Sequence, residues 1–393
     1  MIDLVLNYGI GVWTGWGVVG LNTVGQFADD PDFNVLSGLP LGANMFMGMD
    51  PLRYQVLEQC GIRSKDFVPH SGAISIESVG NDLKSYCPGD YGLKVGRVII
   101  EKPDTQNALR NLEVFDELLT GSTWNKEIIE NISGREAKVI LEGVDPSIFV
   151  PAPKSGWLNG TFNIYSCGKV EYRKAQDIVL KAFKTFSERH SDARLVTVWN
   201  SPFSDLGNGY KGVLEHPLWM KENGFLNVKK WAKDNGVDPD KVLELGCIPN
   251  WGIPSVLREM DCMLAPSRFE SCTSLPVMEA MACGIPVIAS FHSGMKDLLA
   301  SHNSERLMNQ TPITASNEYF FPQSDIDWYE SDMDEILDKL ERVYNDRDTT
   351  RWKAKIASEW IRKERTWASH CAQLKSWLKS VWHETDLNAQ TGT

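Results

Sequence analysis

The chain has 393 residues, of which 40 are basic and 52 acidic, a formal net charge of −12. That length suits two or three domains, each with a core of its own. The acidic balance argues against a nucleic-acid partner, which requires clustered Lys and Arg to displace counterions, so any phosphate bound here is a small one held by a few local cations.

The first strand, IDLVLNY, opens at Ile2, and no Lys or Arg precedes Arg53, so no basic leader of a secretory signal is read. The next segment, YGIGVWTGWGVVG, places Gly9, Gly11, Gly15 and Gly17 ahead of a helical pattern, VVGLNTVGQFA. Its spacing is not GxGxxG. The glycines allow backbone to approach a ligand closely, and Trp13 and Trp16 offer surfaces for stacking a sugar; a plain flexible turn is the alternative. Further strands are expected at DFNVLSG, RVIIE, ELLTGS and AKVILEG, and the Pro/Gly-rich PAPKSGWLNG, Pro151 to Gly160, reads as a connector.

Beyond the connector, apolar strands alternate with helices: FNIYSCG, RLVTVW, KVLELGC, DCMLAP and IPVIAS. Between the first two, Ile178, Val179, Ala182, Phe183 and Phe186 recur at helical spacing. Strands apolar on both faces, alternating with helices, predict a parallel sheet covered on both sides. Near the C-terminus, Trp367, Cys371, Leu374, Leu378 and Val381 form one stripe on a helix that Thr366 could cap. The expected architecture is α/β, with two Rossmann-like, doubly wound parallel-sheet domains. Residues 1–154, joined by the C-terminal helix 366–393, form the first, and residues 155–365 the second.

The eight cysteines (60, 87, 167, 247, 262, 272, 283 and 371) show neither CxxC pairs nor a metal spacing with histidine, which fits reduced thiols in a cytoplasmic setting. No run of 18 apolar residues predicts a transmembrane segment, while peripheral contact with the inner membrane face remains compatible with the composition. Four Asp-x-Asp pairs (Asp30/Asp32, Asp238/Asp240, Asp325/Asp327, Asp332/Asp334) read as turns and helix lead-ins rather than a metal site.

Two loops carry candidate chemistry. In RFESCTSLPVMEAMACGIPVIAS, a strand is followed by a polar loop and then a helix, with Ser274 as N-cap and Pro276 in the first turn, so the amides of Thr273, Ser274 and Leu275 would face an anion. In SCGKVEYRKAQD, Gly168 turns the chain after a strand, and Lys169 and Lys174 emerge at the same sheet edge. A helix N-terminus stabilises an exposed anion by only ~0.3–1 kcal/mol. An ammonium group ~4 Å away, at an effective dielectric near 20, supplies roughly 4 kcal/mol before desolvation. The lysines are therefore expected to dominate.

The strings GKVEYRKAQD, LELGCIPNWGIPSVLREMDCMLAPSRFES and LPVMEAMACGIPVIAS resemble the donor half of retaining glycosyltransferases of family 4, which have the GT-B fold, two domains facing across a cleft with a C-terminal helix crossing back to the first. Ser122, Trp124, Gly143, Val144, Asp145, Phe149 and Pro151 match the passage that this family carries before its linker. The resemblance implies transfer of a hexose from a UDP- or GDP-sugar to a hydroxyl acceptor, as in polysaccharide biosynthesis, with retention and without a metal. It implies that Lys169 and Lys174 contact the diphosphate and that Glu279 binds ribose hydroxyls. Glu270 would lie near the donor sugar, Ser271, Cys272, Thr273, Ser274 and Leu275 would offer amides, and Ile248 and Pro249 would line the base pocket. In the first domain, Gly15, Trp16 and Gly17 would wall the donor or acceptor site. Members carry a histidine there that touches the donor, and His70, the only histidine before residue 190, is the candidate with Glu101 as a further possibility.

Three departures stand out. Eight residues rather than seven separate Glu270 from Glu279, Lys169 replaces the family's Arg, and Ala175 replaces its Gly. The rival readings are a non-catalytic sugar-nucleotide-binding GT-B subunit and a GT-B epimerase or phosphorylase.

Overall fold

The computed structural model describes residues 1–101, 104–200, 214, 216, 218–219, 226–313 and 328–391, with side chains to residue 383. The pair Asp325/Asp327 lies outside the described residues. The chain separates into two compact units: Met1–Gly143 with Pro249–Trp251 and Glu364–Thr393, and Val144–Ile248 with Gly252–Lys363. Val144 and Phe149, which precede the Pro/Gly-rich connector, are buried in the core of the second unit.

The first unit is built on β1 (Ile2–Asn7), β2 (Phe33–Ser37), β3 (Ala73–Val79), β4 (Leu93–Val98), β5 (Glu117–Thr120) and β6 (Lys138–Val139). All pair in parallel in the order β2-β1-β3-β4-β5-β6. Helices α1 (Gly15–Phe27), α2 (Pro51–Ser64), α3 (Ala108–Leu112) and α4 (Thr123–Ser133) connect them. Caps set the helix starts: Thr14 Oγ1 accepts from Gly17 N, Asp50 from Leu52 N and Arg53 N, and Ser122 from Asn125 N. The Ser122-x-Trp124 motif is thus, locally, a helix N-cap. Strand β3 is not among the strands expected from the sequence, and β4 ends at Val98, three residues before the expected end at Glu101. The expected strand over AKVILEG shrinks to two residues at the sheet edge.

The second unit carries β7 (Phe162–Lys169), β8 (Ala193–Asn200), β9 (Val242–Glu244), β10 (Cys262–Ala265), β11 (Val287–Ser290) and β12 (Glu305–Leu307), in the order β12-β11-β10-β7-β8-β9 and all parallel. A separate antiparallel pair joins β13 (Gln310–Ile313) and β14 (Trp328–Ser331). The helices are α5 (Gln176–Arg189), α6 (Val228–Asp234), α7 (Ile253–Leu257), α8 (Leu275–Ala282), α9 (Met333–Asn345) and α10 (Arg347–Glu364). Ile178, Val179, Ala182, Phe183 and Phe186 of α5 are all buried in one cluster with Phe162, Ile164 and Leu195.

The strand order reverses direction beside β7 and β10 in this sheet and beside β1 and β3 in the first. At such points the loops leaving two neighbouring strands diverge, opening a crevice beyond their carboxyl ends where open α/β sheets take ligands.

The last helix, α11 (Trp367–Thr391), belongs to the first unit. Thr366 Oγ1 accepts from Ser369 N at 3.1 Å, and the expected stripe of Trp367, Cys371, Leu374, Leu378 and Val381 is buried. Lys375 Nζ adds an ion pair to Asp30 at 2.6 Å and a hydrogen bond to the Gln26 carbonyl at 2.9 Å, both at the end of α1. Asp30, Asp238 and Asp332 each accept backbone N–H groups within their own turns. Among the described residues, no helix is long and apolar enough to cross a membrane. Leu374 has no exposed surface. Leu374→Ala is therefore expected to lower stability by about 2–5 kcal/mol, measured by urea unfolding followed through the first unit.

Candidate functional site

The carboxyl ends of β7 and β10 in the second unit gather the charged residues. Gly168, at φ +138°, does not end the strand as expected: β7 runs on through Lys169, paired with Asn200, and Val170 N is held by the Asn200 carbonyl at 3.1 Å. A single 3-10 turn over Tyr172–Lys174 then leads into α5 through Ala175, whose φ of +57° is left-handed. That conformation costs an L-residue roughly 1–2 kcal/mol, which explains why a glycine would suit this position.

On the other loop, Arg268 is 1 % exposed and makes the principal cross-link. Its Nη1 and Nη2 donate to Asp177 Oδ1 and Oδ2 at 2.8 and 2.7 Å, its Nε to Glu330 at 2.9 Å, and Nη1 also to the Tyr172 carbonyl at 2.8 Å. The guanidinium also lies 3.9 Å over the Tyr172 ring. One side chain thus joins the loop after β7, the loop after β10 and strand β14.

This staple aligns an alternating series of charges. Lys169 Nζ lies 2.6 Å from Glu171, Glu171 lies 2.7 Å from Arg173 Nε, Arg173 Nη1 lies 3.2 Å from Glu270, and Lys174 Nζ contacts both Glu270 oxygens at 2.7 Å. Ser267 Oγ also donates to Glu270 at 2.8 Å. Lys169 is 42 % exposed along its side chain, whereas Lys174 is 12 % and Glu270 8 % exposed. Burial would raise the Glu171 carboxyl, yet Arg173, Lys169 and Lys174 hold it at about 2. Glu270 likewise stays below its ordinary value, because Lys174 and Arg173 outweigh burial. Burial lowers Lys174 while Glu270 pulls it the other way.

The structure brings both expected lysines and Glu270 together, but not as bare ammonium groups. Three cations (Lys169, Arg173, Lys174) and two carboxylates (Glu171, Glu270) leave a net charge of +1. Glu171 and Arg173 are not among the expected site residues, although the string KVEYRK contains both. Glu279, on α8, is 5 % exposed and acts with Lys174, in opposite senses, on the Cys167 thiol at the end of β7. Ser271, Cys272, Thr273 and Ser274 are buried. Ser274 is the N-cap of α8 by position, but its side chain makes no capping hydrogen bond. The loop after β11 fixes the Glu270 backbone: Glu270 N donates to Ser293 Oγ at 3.1 Å, and Gly294 N to the Glu270 carbonyl at 2.9 Å. Buried His292 bonds the Ser267 carbonyl through Nε2 at 2.9 Å, and burial lowers its pKa to about 4.

Elsewhere the expectations scatter. Ile248 falls in the second unit and Pro249 in the first. In the first unit, Gly17 packs where a Cβ would meet the Gly11 carbonyl oxygen at 2.8 Å, and Thr14 takes its N–H, so Gly17 serves helix packing. Gly15 is exposed at the start of α1. Trp16 is engaged by Tyr8, at a centroid distance of 5.7 Å, and by the Arg97 guanidinium, also at 5.7 Å. Glu101 follows the carboxyl end of β4, where its N–H bonds Asn81. His70 does not join the Gly15–Gly17 segment. It precedes β3 and bonds Asp3 at 3.1 Å, and Asp3 is paired with Ala73 at the amino ends of β1 and β3. The strand β1 separates it from the glycine loop by roughly 15 Å. An open cavity of about 390 Å³ lined by Lys154, Asp192, Asp261 and Arg347 likewise lies at the amino edge of the second sheet, away from the charged series.

Asp177→Ala would leave the Arg268 guanidinium on Glu330 and one carbonyl, so a loss of about 3 kcal/mol is expected by urea unfolding. His292 and Glu171 bind fewer protons in the folded chain than in the unfolded one, so stability rises with pH across the acid range. On acidification, urea midpoints should begin to fall below the ordinary histidine value of 6.5. They should continue to fall from 4.5 towards about 2 as Glu171 protonates; flat midpoints across both windows would contradict these assignments.

Comparison with known proteins bears on the family and the fold. Residues 152–355 match the family described as glycosyl transferases group 1. The chain is 27% identical over 133 residues to mannosylfructose-phosphate synthase of Agrobacterium fabrum, covering 34% of this chain and 26% of that one. It is 26% identical over 196 residues to D-inositol 3-phosphate glycosyltransferase of Kribbella flavida, covering 47% and 42%. The matches thus span less than half the length of these relatives. Among solved structures, sucrose-phosphate synthase from Thermosynechococcus elongatus superposes with a TM-score of 0.66 at 12% identity, covering 98% of this chain and all of that one. The Anabaena protein HepE, solved with UDP and glucose, gives 0.63 at 13% identity, covering 97% and 100%. These likenesses show the GT-B fold, and with the match over residues 152–355 the chain belongs to the glycosyl transferases group 1 family.

Proposed function

We propose that the chain transfers a hexose from a nucleoside-diphosphate sugar to a hydroxyl acceptor with retention at the anomeric carbon, and that the second unit holds the donor. The observation that carries this reading is the Lys169–Glu171–Arg173–Glu270–Lys174 series at the β7/β10 switch point. HepE, of the same fold, was solved with UDP and glucose, so UDP-glucose is the first donor to test.

A pyrophosphate arriving at this edge competes with Glu171 and Glu270 for the same ammonium and guanidinium donors. Its oxygens take over part of the hydrogen bonding of Lys169, Arg173 and Lys174, and the charge that builds on the leaving phosphate is met by groups already oriented. The acceptor hydroxyl then attacks from the face the phosphate leaves, forming the new C1–O bond as the C1–O bond to phosphate breaks. The departing phosphate oxygen receives the acceptor proton, so neither a protein base nor His70 has a part. Three side-chain cations supply the positive charge, and in this mechanism no metal is required.

A catalytically silent sugar-nucleotide-binding subunit is the second reading. It is favoured by the full engagement of Lys174 with Glu270, which could hold the lysine away from a leaving group. Donor binding without transfer across an acceptor panel would establish it.

Lys174→Ala is expected to lower kcat by about 10²–10³, with partial recovery in Lys174→Arg. Turnover near that of the unaltered enzyme would remove the lysine role. Proton NMR of the product from an α-configured donor should show an α linkage, and the rate should persist in EDTA. A β-linked product would sink the retaining mechanism, and loss of activity in EDTA would sink its metal independence.

A further inference from the structure

Two indoles of the first unit are held in place by contacts that the donor chemistry leaves unexplained. Trp13, in the loop after β1, donates its Nε1–H to the Asn44 carbonyl at 2.9 Å. Trp251, in the short segment Pro249–Trp251 that belongs to this unit, donates its own to the Met47 carbonyl at 3.1 Å. Both acceptors lie on one short stretch, whose 3-10 turn Ala43–Phe46 is anchored by buried Phe46 against the Tyr54 ring. Backbone bonds complete the cluster: Val12 N donates to the Met45 carbonyl at 3.2 Å, and Asn250 N to the Val12 carbonyl at 2.9 Å. Gly48, at φ +69°, is required beside the second indole, since a Cβ there would lie 2.5 Å from Trp251 Cζ2.

Each residue nevertheless keeps about two-fifths of its surface in water, 39% for Trp13 and 41% for Trp251. An indole N–H lies in the ring plane, so each hydrogen bond turns a ring edge towards the turn and satisfies the only polar atom of the side chain. What remains outward is rigid, flat and apolar, so little entropy is lost on stacking against it. The cluster sits beyond the carboxyl end of β1, beside the β1/β3 switch point of this sheet.

We propose that Trp13 and Trp251 form an aromatic platform that stacks a pyranose ring of the acceptor, which makes the acceptor a saccharide. This rests on the glycosyl-transfer reading above. The C–H face of a pyranose complements a flat ring, and its edge hydroxyls need polar partners, which the carboxamide of exposed Asn44, the residue whose carbonyl holds Trp13, provides. An acyl chain would instead call for enclosing apolar walls.

The test is saturation-transfer NMR on the full chain with UDP present, using maltotriose, cellotriose, mannotriose and octyl glucoside as probes. Saturation should concentrate on ring C–H protons of at least one sugar and fall about 5- to 10-fold in the Trp13→Ala/Trp251→Ala double variant. Trp251→Phe, which keeps a ring, should retain the signal and so guards against loss of fold. No transfer to any probe, unchanged transfer in the double variant, or transfer confined to the octyl chain would overturn the platform. Calorimetry with UDP and with GDP on the same samples separates the two readings. Nucleotide binding preserved while saturation of every sugar probe fails sinks the platform alone, whereas absence of both UDP and GDP binding in the unaltered chain sinks the glycosyl-transfer reading.

Discussion

The bidentate contact between Arg268 and Asp177 is the constraint on which the geometry of the β7/β10 site depends. A guanidinium removed from water must have its donors satisfied, and here one carboxylate on α5, one on β14 and a carbonyl after β7 satisfy it. Asp177 lies three residues beyond Lys174, and Arg268 lies two residues before Glu270. Locking the first pair therefore sets the register of the second, and the 2.7 Å contacts of Lys174 with Glu270 follow from it.

The alternation of acids and bases around that staple has a simple electrostatic reason. A buried ammonium group cannot stay charged without an anion beside it, and a carboxylate on the neighbouring loop fills that role when no phosphate does. Glu171 and Glu270 thus keep the cations charged and aimed at the sheet edge. The ion pairs consequently compete with any ligand, and affinity becomes a difference between two sets of charge-assisted hydrogen bonds rather than the full attraction of bare cations.

Topology also decides where each unit gathers its candidate side chains. Each has one place where neighbouring strands send their loops in opposite directions, and the concentrated features of each unit stand there: the charge series beside β7 and β10, the anchored indoles beside β1. His70 illustrates the converse. It was singled out by elimination, yet it precedes β3 and bonds Asp3 at the amino edge, where the loops of a parallel sheet do not converge on a ligand. Being the only histidine in a stretch says nothing about which end of a strand it occupies.

Local chemistry was readable from the chain alone. The apolar runs of β1, β7 and β10, the face of α5, the stripe of α11 with its Thr366 cap, and the emergence of Lys169 and Lys174 near Glu270 all follow from periodicity and from loops placed after strands. Strand β3 escaped because its polar Ser75 and Glu77 alternate with apolar residues and mask a segment that neighbours bury on both faces. Long-range pairings could not be read in this way. Nothing near Arg268 announces Asp177, 91 residues earlier, and nothing near Trp251 announces Met47, 204 residues away. Hydrophobic pattern and turn residues act within a few positions, so they determine elements and their edges. Which charge meets which, and which aromatic ring stays wet, is decided only when the sheet order brings distant loops together.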